Sequence, residues 1–156
     1  MRVVVLDGYV DEPSNFGVPP YISPYPRYLA GAVADAGHDW DYVTIDQARA
    51  GRALGGDVLA VISGPIVPGK YLRGLPISEK EILHHARAFE GPRVLGGPLA
   101  RFRFFDATLT EPFDHVAVRD FDACVYDHLT SGSWNDRDRT MAEWDRWAWL
   151  GADAIR

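Results

Sequence analysis

Three short stretches of this sequence carry residue types suited to holding a small molecule. Asp7-Gly8-Tyr9, Ser63-Gly64 and Gly96-Gly97-Pro98 each follow a short apolar run. A glycine in such a place lets a ligand approach the backbone because no Cβ intervenes. A serine hydroxyl or an aspartate beside it supplies a hydrogen bond. This is binding chemistry, and no catalytic or metal-ligating set accompanies it. His84 and His85 are adjacent on a helix-like segment and so point in different directions. His38, His115 and His128 are isolated and read as surface or internally satisfied residues. Cys124 is the only cysteine, which excludes an internal disulfide and a multi-cysteine zinc or iron–sulfur site. It reads as a small apolar residue on a helix. Asp120 and Asp122 read as charges that favour the start of the following helix through its dipole.

These residues must be positioned by a domain of modest size. A chain of 156 residues fits one core, and its 47% hydrophobic content suits a packed globule that needs no disulfide or metal. No run approaches the roughly 20 apolar residues of a membrane span. Met1 to Leu6 is too short for a signal peptide, so a cytoplasmic location is expected. The net charge of −6 argues against nucleic acid as a partner, since neutralising phosphates takes a basic face. Fourteen of the sixteen basic residues are Arg and sixteen of the twenty-two acidic ones are Asp, a bias that points to a GC-rich or halophilic source.

Strand-like apolar runs alternate with helix-like segments, the pattern of a parallel sheet covered on both faces. Val3–Leu6, Asp41–Ile45, Val58–Ile62, Arg93–Leu95 and His115–Val118 are the expected strands. Helices are expected over Pro24–Ala36, from Asp46 as cap to near Gly55-Gly56, over Ser78–Phe89, Phe121–Leu129 and Thr140–Leu150. Ser78 and Glu81 have the spacing of a capping box. The right-handed crossover rule then favours an α/β, flavodoxin-like (Rossmann-like) open sheet of five strands in the order 2-1-3-4-5. Residues 1–130 form this domain, and 131–156 supply a loop and a C-terminal helix. In that helix Met141, Trp144 and Ala148 share one face, to cover the domain or to meet another one.

In such sheets ligands bind beyond the carboxyl ends of the strands, where strand order reverses. Here that point lies between strands one and three, and the loops leaving those strands are long. Connections of about two to six residues are usual, and much longer ones are usually functional. Both loops, 7–23 and 63–77, are rich in proline and aromatics, which suits a rigid, partly apolar wall. The expected lining is therefore Asp7, Gly8, Tyr9, Ser63, Gly64, Gly96 and Gly97, with Pro19, Pro20 and Tyr21 shaping the wall.

The run Pro19 to Ala32, then Ala36-Gly37-His38, Val58 to Ser63, Val94 to Pro98 and Val118-Arg119-Asp120 resembles the N-terminal cobalamin-binding domain of radical SAM proteins. The likeness covers most of the chain up to about Leu129. Asp7 to Pro13 and Pro68 to Gly74 look like an archaeal subgroup. The resemblance implies a corrin held at the strand ends with its nucleotide tail in a cleft between them. The family pattern is Asp-x-His-x-x-Gly after strand one, Ser-x-Leu after strand three and Gly-Gly after strand four. Asp7, Ser63 and Gly96-Gly97 match it. Tyr9, Glu12 and Pro65 replace the histidine, the first glycine and the leucine. Histidine ligation of cobalt from that position is thereby excluded, as in many radical SAM relatives.

The resemblance also implies a following catalytic barrel that carries a 4Fe-4S cluster and S-adenosylmethionine, which one cysteine cannot support here. The chain is then expected not to be catalytic alone, with methyl transfer or related radical chemistry done by the absent part. The final apolar run, Gly151 to Arg156, is read as a truncation before it. Two other readings stay open. One is a degenerate, cofactor-free support domain. The other is a flavin- or nucleotide-binding module, although the first loop is dominated by Pro and Tyr rather than by Ser, Thr and Gly. A phosphorelay receiver is excluded, because the acceptor position after strand three is Ser63 and no Lys follows residue 80.

Overall fold

Continuously apolar strands, with core on both faces, set the layers of this molecule. The computed structural model describes residues 1–9, 25–64, 75–102 and 106–152. Its strands are β1 (Arg2–Asp7), β2 (Asp39–Thr44), β3 (Val58–Ile62), β4 (Arg93–Gly96) and β5 (His115–Val116). All pairs are parallel, and the order is β2-β1-β3-β4-β5, as the sequence pattern predicts. Successive side chains in a strand face opposite ways. Val3, Val5, Ala60 and Ile62 therefore join one core, while Val4, Leu6, Leu59 and Val61 join the other.

The helices divide accordingly. On one face lie α1 (Tyr25–Asp35) and α6 (Phe121–Ser131), which contribute Leu29, Val33, Phe121, Cys124 and Val125. On the other lie α2 (Ile45–Arg49), α3 (Glu79–Ala88) and two short helices, α4 (Pro98–Phe102) and α5 (Ala107–Thr110). A last helix, α7 (Met141–Leu150), docks on the outside of α1 through the fully buried Trp147. The Trp147 indole donates to Asp35 at 2.9 Å.

Some boundaries differ from the sequence-based expectation, each for a local reason. The second strand is Asp39–Thr44, and Thr44, not Asp46, caps the helix after it. The Thr44 hydroxyl accepts from the Gln47 amide while the Gln47 side chain returns to Thr44, so the box closes two residues early. That helix stops at Arg49, well before Gly55-Gly56. The fifth strand covers only His115–Val116. Helices α4 and α5 occupy a stretch with no helical period long enough to read. The expected box at Ser78–Glu81 forms, and a second closes at Thr140–Glu143. Cys124 is fully buried, and burial pushes its thiol up to about 12.

Candidate functional site

Register aligns the residues expected to bind. Asp7 pairs with Ile62 and Ile62 with Gly96, so Gly8, Ser63 and Gly97 follow one another across the carboxyl edge of three adjacent strands. The described members of the sequence-based set, Asp7, Gly8, Tyr9, Ser63, Gly64, Gly96 and Gly97, thus lie along one edge. What fills the space above it is the chain itself. Asp7 is buried and takes the Tyr42 hydroxyl at 2.7 Å and the Tyr9 amide at 3.0 Å. The Ser63 hydroxyl donates to the Gly96 carbonyl at 2.7 Å and accepts from the Leu99 amide at 3.0 Å. Ser63 is fully buried, and its bonds tie β3 to the start of α4.

The glycines make room for neighbours. A Cβ on Gly96 would overlap the ring of Phe121, and one on Gly8 would overlap Ile77. Gly64 faces Pro76 in the same way. Gly97 has φ +87°, where side chains are strained, and a Cβ there would crowd Ser63. The segment returning from the second long loop crosses these ends: Ile77 donates its amide to the Gly8 carbonyl at 2.9 Å. Arg49 holds that segment by donating to the carbonyls of Leu75 (2.7 Å) and Pro76 (3.3 Å) and to Glu81 (2.8 Å). The Arg49 guanidinium holds the Glu81 carboxyl down at about 2. Pro19, Pro20 and Tyr21, and most of both long loops, lie outside the described residues.

Open space lies one step outward, between the N-terminal ends of α1 and α6. A cavity of about 280 Å³ is floored by Leu29 and Phe121 and walled by Tyr9, Tyr25, Tyr28 and Pro98. Arg101, Asp120, Asp122 and Arg139 complete it. Of these residues the sequence points to Tyr9, Pro98 and the two aspartates, the aspartates as charges for the helix dipole. Asp120 is the N-cap of α6 but caps nothing with its side chain. It accepts instead from the Arg139 amide at 2.9 Å. Asp122 is 4% exposed, bonds to its neighbour amide Ala123 and is ion-paired with Arg139. Burial dominates its titration and pushes its carboxyl up to about 6, Arg139 notwithstanding.

Arg139 reaches the cavity on a strap, residues 132–140, that joins α6 to α7. Asp136 accepts from the amides of Val118 (3.0 Å) and Arg119 (2.8 Å). Arg137 bridges Asp127 and Glu143 at 2.8 Å each. Trp134 stacks in parallel on His128 with ring centroids 3.7 Å apart. The Arg139 guanidinium then lies over Tyr28 at 4.2 Å and over Trp144 at 4.7 Å, a cation held by two aromatic rings. A signal for the strap exists in sequence: a polar segment dense in Asp and Arg ahead of the last helix. Its partners could not be read without the fold.

Among the described residues no group of three or more His, Cys, Asp or Glu is gathered to hold a metal ion. Nor is any described helix long and apolar enough to cross a membrane. The chain is similar to an uncharacterized protein of Methanocaldococcus jannaschii, 36% identical over 172 residues that cover 99% of this chain and 32% of that protein. It is also similar to an uncharacterized protein of Archaeoglobus fulgidus, 47% identical over 87 residues that cover 53% of this chain and 16% of that protein. The chain thus spans about a third or less of the length of these curated relatives. No family model matches it, and no solved structure does.

Proposed function

We propose that this chain is the cobalamin-binding-type domain of a longer radical SAM protein, holding a corrin at the carboxyl edge of its sheet. The observation that carries the reading is the cavity that opens between α1 and α6 at the carboxyl edge of the sheet, walled by Tyr9 and Pro98, which follow β1 and β4. Near-full coverage of the chain by about a third of an archaeal relative supports its working as one part of a larger polypeptide. Catalysis, the iron–sulfur cluster and S-adenosylmethionine belong to the remainder of such a protein. The domain's part is to bind and orient.

The fit to the cofactor is uneven. A nucleotide tail laid against Ser63 and the glycine pair, as the resemblance implies, meets Phe121, which already covers Gly96. The space that suits a flat heteroaromatic group is the neighbouring cavity, with its three tyrosines. A bound corrin would supply a cobalt-centred methyl carrier. This chain's residues would supply a wall (Tyr9, Tyr25, Tyr28) and a polar rim (Arg101, Asp120).

A second reading, a support domain without cofactor, is favoured by one feature. Ile77 and Phe121 pack into the glycine gaps at the strand ends. Ultraviolet–visible titration with hydroxocobalamin and methylcobalamin separates the two. Saturable binding with a base-off spectrum, lost on Arg101→Trp at the half-exposed rim, is expected of the corrin carrier. No spectral change in the folded chain would leave the support domain. Ser63 is unsuited as the control, because its buried hydroxyl bonds hold β3 to α4.

A further inference from the structure

The cavity between α1 and α6 holds more hydrogen-bond donors than its own acceptors use. Arg101 is 49% exposed, makes one ion pair with Asp120 at 3.7 Å, and forms no side-chain hydrogen bond among the described residues. Arg139 is fixed between Tyr28 and Trp144 and engages Asp122 through one terminal nitrogen. Its Nε is buried without a hydrogen-bond partner, with Asp120 Oδ2 3.5 Å away. A guanidinium carries five donors in a planar fork that matches oxyanion geometry. Two such groups therefore line one cavity with donors to spare, while Asp120 and Asp122 are already occupied.

We infer that this cavity is an oxyanion site in which Arg101, backed by the charge of the Arg139 guanidinium in the cavity wall, receives the phosphate- or carboxylate-type group of a small molecule whose flat part lies against Tyr9 and Tyr28. The inference does not depend on the corrin reading, since the resemblance supplies neither arginine. The charges decide how binding responds to pH. Two arginines and two aspartates cancel, so an incoming anion must be offset. The groups around Asp122 are Asp120 on its own helix, Arg139 on the strap and, across the cavity, Arg101 on α4, Tyr25 and Tyr28 on α1 and Tyr9 after β1. Of these, Asp122 is the buried carboxyl whose proton affinity is already raised. An anion nearby raises it further, so binding takes up a proton and tightens as pH falls.

Calorimetric titration with sodium sulfate tests this, because sulfate stays a dianion across the window. Inorganic phosphate serves as the second probe, with ionic strength held constant. Saturable binding is expected, tighter near pH 6 than near pH 7.5 by roughly threefold to tenfold. Arg101→Ala should weaken it by about tenfold or more. Asp122→Asn should abolish the pH dependence and bind near pH 7.5 as the native chain does near pH 6. The proposal is overturned if neither anion binds the folded chain, or if Arg101→Ala binds as well as the native protein. Competition then identifies the source of the oxyanion. Displacement of sulfate by hydroxocobalamin, but not by cobinamide, which lacks the nucleotide phosphate, assigns it to a corrinoid tail. Displacement by neither assigns it to a free phosphate- or carboxylate-bearing metabolite. Sulfate binding without any corrinoid binding removes the corrin reading and leaves the cavity standing.

Discussion

Asp122 shows how one residue acquires a role that its type does not announce. Near the start of a helix an aspartate ordinarily interacts with the positive end of the dipole. Here the turn of α6 directs it inward, where 4% of its side chain meets solvent. Its folded-state titration lies near 6 against an ordinary value of 3.8, so the folded protein prefers the protonated acid. The stability tied to that preference is present in full below the unfolded value and is lost as pH rises through about 6. The loss amounts to at most about 3 kcal/mol. Asp122→Asn removes it. The variant should therefore gain stability relative to the native chain between about pH 4 and pH 7.5, by an amount up to that figure. Urea denaturation at both ends of the range measures it, and parallel curves for the two proteins would refute the assignment.

Phe121 belongs to the same scale. Its ring lies over Gly96 and is 1% exposed. Phe121→Ala should cost about 3–5 kcal/mol, the range for emptying a buried aromatic site. A much smaller loss in thermal or chemical denaturation would mean that the ring is not the cover of the glycine pair. In sequence, Gly96-Gly97 was legible as a place where something comes close. That the visitor is a phenyl ring from 25 positions onward, rather than a ligand, depends on how α6 returns to the sheet. No local pattern encodes that return.

At the scale of elements, regular periodicity carried the reading. Continuous apolar runs placed β1, β3 and β4, and Ser78 with Glu81 placed α3, because these signals are local. The short helices α4 and α5 and the start of α2 were not legible, since each is held by tertiary contacts or by a single cap. The strap is the clearest case. Its conformation is written in pairings between residues 132–140 and distant partners: Asp136 with Val118 and Arg119, Arg137 with Asp127 and Glu143. The Arg137 guanidinium holds the Glu143 carboxyl down at about 2, so this bridge persists well into acid. Arg137→Ala should cost about 1–3 kcal/mol, the range for hydrogen bonds to charged groups, less the screening of partly exposed partners. It should also raise hydrogen exchange across 132–140 while leaving β1 and β3 protected. Uniform protection in the variant would show that the strap is held without it.

At the scale of the whole molecule, the question is whether the C-terminal helix is part of this domain or an appendage to it. Two glycines answer it structurally. A Cβ on Gly31 of α1 would strike the backbone of Trp147, and one on Gly151 would strike the backbone of α1 at Arg27. Helices approach this closely only where side chains are absent. The contact is reinforced by the Arg27 side chain, which donates to the Ala148 carbonyl at 2.7 Å, and by Trp147 bonding to Asp35. The same docking sets Trp144 over Arg139, so α7 helps to fix a wall of the cavity on the far side of α1. The opposite side of α7 leaves Met141 and Trp149 exposed, at 80% and 75%. Gly31→Ala should therefore act at a distance. Overpacking of this kind costs about 1–3 kcal/mol, and because the obstacle is backbone, α7 must move as a unit. The expected outcome is a red shift of the summed tryptophan emission, as Trp147 meets solvent, with the far-ultraviolet dichroism of the sheet domain largely kept. It should be accompanied by weaker sulfate binding, since Arg139 loses one of its two rings. If the emission and the anion affinity both stay at their native values, α7 rests on α1 more loosely than this geometry requires, and the cavity is built without it.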